Sequence, residues 1–191
     1  MLALEQHLPG VSRLALGCMG LGGGWDDSPV NAAQQQQAAN AIDAALDNGI
    51  NLFDHADIYT RGKAEQVFGR YLAQAPAKRT QMFLQTKCAI RFADEYAPGR
   101  YDFSPEHIIA SVEQSLRRLN TDYIDVLLLH RPDPLMQPEH VASAFEQLTA
   151  QGKVRHFGVS NMGWAQMQLL QSALARPLLV NQLQMSLADI N

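Results

Sequence analysis

Four side chains able to hold or move a proton sit at or near the ends of short apolar segments. Asp54 closes NLFD, Lys87 closes MFLQTK and His130 closes YIDVLLLH, while Tyr59 follows Asp54 by five residues in NLFDHADIY. Taken singly, an Asp or His in such a place is ordinarily a turn or capping residue. Taken together the four share one rim. Each follows a run bound for the interior, where a charge or phenol without partners costs several kcal/mol. His55 and Asp57 flank the first position, and with His130 they also admit a metal-dependent hydrolase. That alternative needs several convergent His, Asp or Glu ligands, whereas a lysine and a tyrosine stand where proton transfer would require them. The remaining histidines, His7, His107, His140 and His156, fall on surface elements or an early hairpin and suggest no cluster.

The elements that must position these groups alternate between short apolar segments and longer amphipathic ones, nearly end to end and without a Ser/Gly linker. This is the α/β pattern. Six strands are predicted, at Leu14 to Gly17, Ile50 to Asp54, Met82 to Lys87, Ile124 to His130, Val154 to Ser160 and Leu178 to Leu183, with five helices between them. Ser104-Pro105-Glu106 offers a capping hydroxyl, a first-turn proline and an acid favoured by the helix dipole. Ile108, Val112, Leu116 and Leu119 then form one apolar face. Val141, Phe145 and Leu148 run toward Gly152, and Ala38, Ile42, Ala45 and Leu46 toward Gly49, each glycine placed for a left-handed cap. A further helix is expected over Trp164 to Leu174. The run Gln34 to Gln37 begins a helix and reads as its solvated face. Phe68, Tyr71, Met167 and Leu170 are assigned to packing.

Strand and helix repeats of this spacing imply parallel strands with right-handed crossovers. A doubly wound sheet would announce a dinucleotide by G-x-G-x-x-G after its first strand, but Gly20, Gly22, Gly23 and Gly24 lead to Trp25 and no immediate helix. Gly62-Lys63 is followed by Ala64, which excludes the common P-loop. The (β/α)₈ barrel remains, and its active sites gather polar residues from the C-terminal ends of several strands.

Composition excludes other classes. Fifteen Lys and Arg against 19 Asp and Glu leave a net charge of −4, with 47% apolar and 18% charged residues. No basic block offers a footprint for nucleic acid or an anionic membrane. The longest apolar runs are four residues, against about 20 for a spanning helix, so no membrane span is expected. The opening MLALEQHLPG lacks the parts of a secretory signal, so a cytoplasmic home and reduced thiols at Cys18 and Cys88 are the expectation. A single domain over residues 1–191 is expected.

Asp54, Tyr59, Lys87 and His130, with GVSN at 158–161 and NQLQ at 181–184, resemble the aldo-keto reductases. The resemblance runs from the hairpin-like opening VSRLALGCMGLG onward, and KVRHFGVSN is similar to the bacterial YdhF-type members. It implies reduction of aldehydes or ketones to alcohols, with Tyr59 as proton donor and a nicotinamide cofactor, typically NADPH, as hydride donor. The residue chemistry agrees. A phenol, with an ordinary pKa of about 10, needs a nearby cation to exchange protons at neutral pH. Lys87 can supply that cation, Asp54 can hold it, and His130 can direct the carbonyl oxygen toward the phenol. The resemblance also implies that Ser160, Asn161 and Gln182 hold the nicotinamide carboxamide, although Ser160 and Asn161 also suit helix capping. The first loop, Cys18 to Leu21, is glycine-rich enough for close backbone approach to the cofactor ribose, with Cys18 and Met19 as the candidates, although glycines near a tight turn need no ligand to explain them. Trp25 either lines the substrate mouth or covers the loop. The family fold also serves as a non-catalytic regulatory subunit, which keeps an interaction module open.

A complete barrel has eight strands and typically about 250 residues, whereas six strands are predicted here. The expectation is an incomplete barrel, a fragment that carries the catalytic rim without most of the adenosine-binding machinery and so binds cofactor weakly. The partner implied is a small-molecule carbonyl, and the sequence leaves substrate identity and oligomeric state undetermined.

Overall fold

The computed structural model describes residues 3–186. Among the described residues eight strands and five α-helices follow one another: β1 (Ala15–Gly17), α1 (Ala32–Asp47), β2 (Leu52–Asp54), α2 (Lys63–Gln74), β3 (Phe83–Cys88), β4 (Ile90–Arg91), β5 (Arg100–Tyr101), α3 (Pro105–Leu119), β6 (Ile124–Leu129), α4 (Pro138–Ala150), β7 (Val154–Ser160), α5 (Trp164–Gln171) and β8 (Asn181–Gln182). Six of the strands form one sheet in the order β1-β2-β3-β6-β7-β8, every neighbouring pair parallel. These six are the predicted ones, in chain order, as an incomplete (β/α)₈ barrel requires.

Side chains alternate across each strand. On the helix side Phe53 and Leu84 pack with Phe68, Tyr71 and Leu72 of α2, and Leu127 and Leu129 pack with α3 and α4. On the other side Leu52, Val126 and Leu128 meet Leu8 and Val11, which plug the base. Strand β6 is buried along its whole length, as a parallel strand covered on both faces should be. The curvature of the sheet is visible in one bond: Gln182 Nε2 lies 3.1 Å from Asp54 Oδ2. Strands β2 and β8 are four steps apart, about 19 Å in a flat sheet, so their side chains meet only because the sheet curls around an interior.

Local signals largely act as the sequence suggests. Ser104 caps α3 through His107 N, and Asn31 forms a capping box with Gln34 at the start of the glutamine run. Gly49 and Gly152 take positive φ after α1 and α4. Three expectations change. The opening segment is not a hairpin: Asn51 holds Ser12 by paired bonds of 2.8 and 3.0 Å, which feeds the chain directly into β1 alongside β2. Helix α5 stops at Gln171, whose side chain instead closes the turn by bonding Arg176 O and Leu178 N. Strand β8 is shorter than predicted, although Leu179 N and Val180 O already bond β7. An antiparallel pair, β4 with β5, fills the loop after β3.

Gly69 shows how tightly α2 and α3 are joined, since a Cβ there would stand 1.9 Å from the Arg118 carbonyl oxygen. That neighbour is backbone and cannot step aside. Gly69→Ala is therefore expected to cost at least about 3 kcal/mol, read as a fall in the urea midpoint; an unchanged midpoint would refute the close packing.

Candidate active site

Strand parity brings the chemistry together. Asp54 on β2, Gln85 and Lys87 on β3, Ser160 on β7 and Gln182 on β8 alternate with residues packed against the helices, so all five face the interior at the C-terminal ends of their strands. His130 directly follows β6 and is anchored by its N–H to Cys88 O at 3.0 Å.

Lys87, 2% exposed, is the hub. Its ammonium donates to Asp54 Oδ1 at 2.8 Å, to the His55 carbonyl at 2.8 Å and to the Tyr59 hydroxyl at 2.9 Å. Three donors meet three acceptors, which is the condition under which a buried ammonium is tolerated. Asp54 is held in turn by Gln85 Nε2 at 2.6 Å and by Gln182 Nε2. Tyr59 reaches the hub from the turn after β2. There Thr60, Arg61 and Gly62 all have positive φ, and the Thr60 hydroxyl ties the turn to Leu21 O at 2.9 Å. The Tyr59 ring stands edge-on to His130, centroids 5.8 Å apart, and Trp25 lies 6.5 Å away on another side.

The four predicted rim residues are thus neighbours around one point. Ser160 Oγ donates to Gln182 O at 3.1 Å and accepts from Asn161 Nδ2 at 2.8 Å, while Asn161 itself takes φ 58°. Gly158, in the same motif, has no room for a side chain, because a Cβ would meet Val180 O at 2.5 Å. Ser160, Asn161 and Gln182 therefore form a second group, joined to the first through Asp54. Cys18 and Met19 behave differently. The Cys18 side chain is fully buried among Phe53 and Phe68, and its N–H is taken by Asp54 O at 2.9 Å. Burial also pushes the Cys18 thiol well up from its usual range. Met19 is exposed on the loop.

Two residues beyond the predicted set belong to the cluster, Gln85 and the His55 carbonyl. Gln85 was findable, because it lies two residues before Lys87 and so shares its face. The metal alternative loses its donors. The His55 ring is buried against Phe68, centroids 4.6 Å apart, with neither nitrogen hydrogen-bonded. Among the described residues no group of three or more His, Cys, Asp or Glu is arranged to hold a metal ion. His107 and His156 are half-buried instead of lying on the surface; His156 sits on β7 against His7.

Comparison with known proteins agrees with this geometry. The model of the aldo/keto reductase family matches residues 13–191. The chain belongs to that family. It is 47% identical over 153 residues to oxidoreductase YdhF of Escherichia coli, covering 79% of this chain and 51% of that one. The structure of a glycerol dehydrogenase from Gluconobacter oxydans superposes with a TM-score of 0.79 at 33% identity, over 95% of this chain and 55% of that one. An aldo/keto reductase from Klebsiella pneumoniae, solved with NADP and acetate, gives 0.65 at 32% identity over 84% and 50% of the two chains. The chain spans about half the length of YdhF and of a second curated relative, oxidoreductase YcsN of Bacillus subtilis. Among the described residues no helix is long and apolar enough to cross a membrane.

The electrostatics of the rim follow from burial. Desolvation, then the nearby Lys87 and Arg131 charges, lower His130 to about 4, so its ring is neutral at neutral pH. Burial lowers His55 to about 3. Burial and then the Glu65 charge raise Asp57 to about 7. These act oppositely on stability. Unfolded imidazoles bind protons near pH 6.5 and the folded ones resist, so both histidines weaken the fold as pH falls from about 6.5, His130 down to about 4 and His55 down to about 3. Folded Asp57 holds a proton that the unfolded chain releases near pH 4, so its cost grows as pH rises and is complete above about 7. Asp57→Asn is accordingly expected to raise the urea midpoint above pH 7 and leave it unchanged below pH 4. A pH-independent effect in equilibrium unfolding would contradict this assignment.

Proposed function

We propose that this chain carries the proton-transfer and nicotinamide-facing halves of a carbonyl reductase site, acting on aldehydes or ketones with NADPH. The observation that carries the reading is the Lys87 ammonium held between the Asp54 carboxylate and the Tyr59 hydroxyl. A phenol beside a fixed cation can release its proton, because the phenolate left behind is stabilised where it forms.

The interior fits a nicotinamide. Gln182 Oε1 and Asn181 Oδ1 are buried without a hydrogen-bond partner, and a carboxamide brings two N–H donors and one acceptor. Gln182 would accept from that group while its own amide stays on Asp54, and Asn161 and Ser160 would complete the contact. When bound, a reduced nicotinamide supplies a hydride to the substrate carbon. NADPH as the form used is supported by the Klebsiella relative solved with NADP.

The protein's own residues handle the oxygen. His130, neutral, carries one N–H and directs it at the carbonyl oxygen, holding that atom near the phenol. As the carbon takes the hydride, the carbon–oxygen π bond opens and negative charge gathers on oxygen. Tyr59 transfers its hydroxyl proton there, completing the alcohol. Lys87 stabilises the phenolate, and solvent returns the proton to the half-exposed Tyr59. Asp54 keeps the ammonium in place throughout, and Trp25 forms one wall of the substrate mouth.

Tyr59→Phe tests this. With an aromatic aldehyde and NADPH, consumption of NADPH is expected to fall at least about 100-fold, while NADPH affinity measured by fluorescence changes little. Turnover that survives in Tyr59→Phe, or activity abolished by chelator without NADPH consumption, would overturn the proposal.

A further inference from the structure

A second cleft lies at the other end of β7, between α4 and the connection from α5 to β8. Its volume is about 440 Å³, within the ordinary range for small-molecule sites. His156, on its wall, precedes Ser160 by four residues of the same strand, roughly 13 Å. The cleft is therefore separate from the catalytic rim and shares no residue with it.

Its floor is rigid and apolar. Phe145 of α4 stacks on Phe157 of β7, centroids 3.8 Å apart and planes 13° from parallel, and both are nearly fully buried. Leu174 and Leu179 continue the apolar lining. The rim carries two imidazoles and two guanidiniums. His7 meets His156 edge to face at 5.9 Å, and Arg155 and Arg176 stand in the same lining. His156 is held below its ordinary range, first by burial and then by its neighbours, and His7, His156 and Arg176 line the same cleft. Arg155 is already committed, bonding Asp125 at 3.1 Å and lying over Tyr123. Arg176 forms no ion pair among the described residues, and Glu146 is the acid in the lining.

We propose that this cleft binds a small amphipathic carboxylate, its hydrocarbon tail on the Phe145–Phe157 stack and its head between Arg176 and the His7–His156 pair. The apolar lining calls for a tail, which inorganic anions lack. The unpaired guanidinium calls for a single negative head, which a neutral lipid or alcohol lacks. This site is independent of the reductase reading, because no residue of it enters that chemistry.

The test uses the 191-residue chain and three probes, octanoate, 1-octanol and inorganic phosphate, followed by calorimetry and by the imidazole NMR signals of His7 and His156. Octanoate is expected to bind saturably with a dissociation constant below about 1 mM and to shift both imidazoles. Octanol and phosphate are each expected to bind at least about tenfold more weakly. Arg176→Ala, an exposed position, should weaken octanoate by about tenfold, whereas Glu146→Gln should strengthen it. No saturable octanoate binding up to about 10 mM overturns the proposal. So does phosphate binding as tightly, or an Arg176→Ala variant that binds octanoate unchanged.

Discussion

A buried ammonium is the constraint around which the rest of this structure is arranged. Lys87 lies at the C-terminal end of β3 with almost no solvent access, and an isolated charge there would cost several kcal/mol. Three acceptors resolve the problem, each from a different source: a carboxylate, a backbone carbonyl and a phenol. Removing any one leaves a donor unsatisfied. The arrangement that makes the lysine tolerable therefore also fixes the tyrosine beside it.

Histidine shows the contrast. His130 and His55 are buried near the same charge, but neither gains a carboxylate partner of its own, and each gives up its proton affinity instead. A site with one cation and one neutral imidazole follows. The cation faces the phenol, and the neutral ring is left with a single N–H that can serve as a donor without adding a second positive charge. Burial first, and then the neighbouring positive charge, lowers both histidines.

Much of this was legible in the sequence because it depends on period. Apolar runs ending in Asp54, Lys87 and His130 fixed both the strands and the rim, and the parallel order followed from the helices between them. The curl of the sheet and the meeting of Gln182 with Asp54 across 128 residues were not legible, since no local pattern encodes which strands face each other over an interior. Gln85 was legible only in part: its spacing from Lys87 places it on the same face, but its bond to the carboxylate depends on Asp54 standing opposite in register. The hairpin expected at the opening was a local inference overruled by a distant side chain, Asn51. The pairing of β4 with β5 was missed because each contributes only two residues.

The bond between Gln182 and Asp54 ties the geometry to the fold in a further way. Asp54 accepts from β3 through Gln85 and Lys87, and from β8 through Gln182, so one carboxylate fastens strands that are not neighbours. If the sheet flattened, Asp54 Oδ2 would lose its partner, and the Ser160, Asn161 and Gln182 group would separate from the Lys87 and Tyr59 group. Hydride and proton delivery must converge on adjacent atoms of one carbonyl. The proposed reaction would place that demand on a curled sheet with polar residues on its inner rim, where curvature sets the distance between the two groups more firmly than any single loop could.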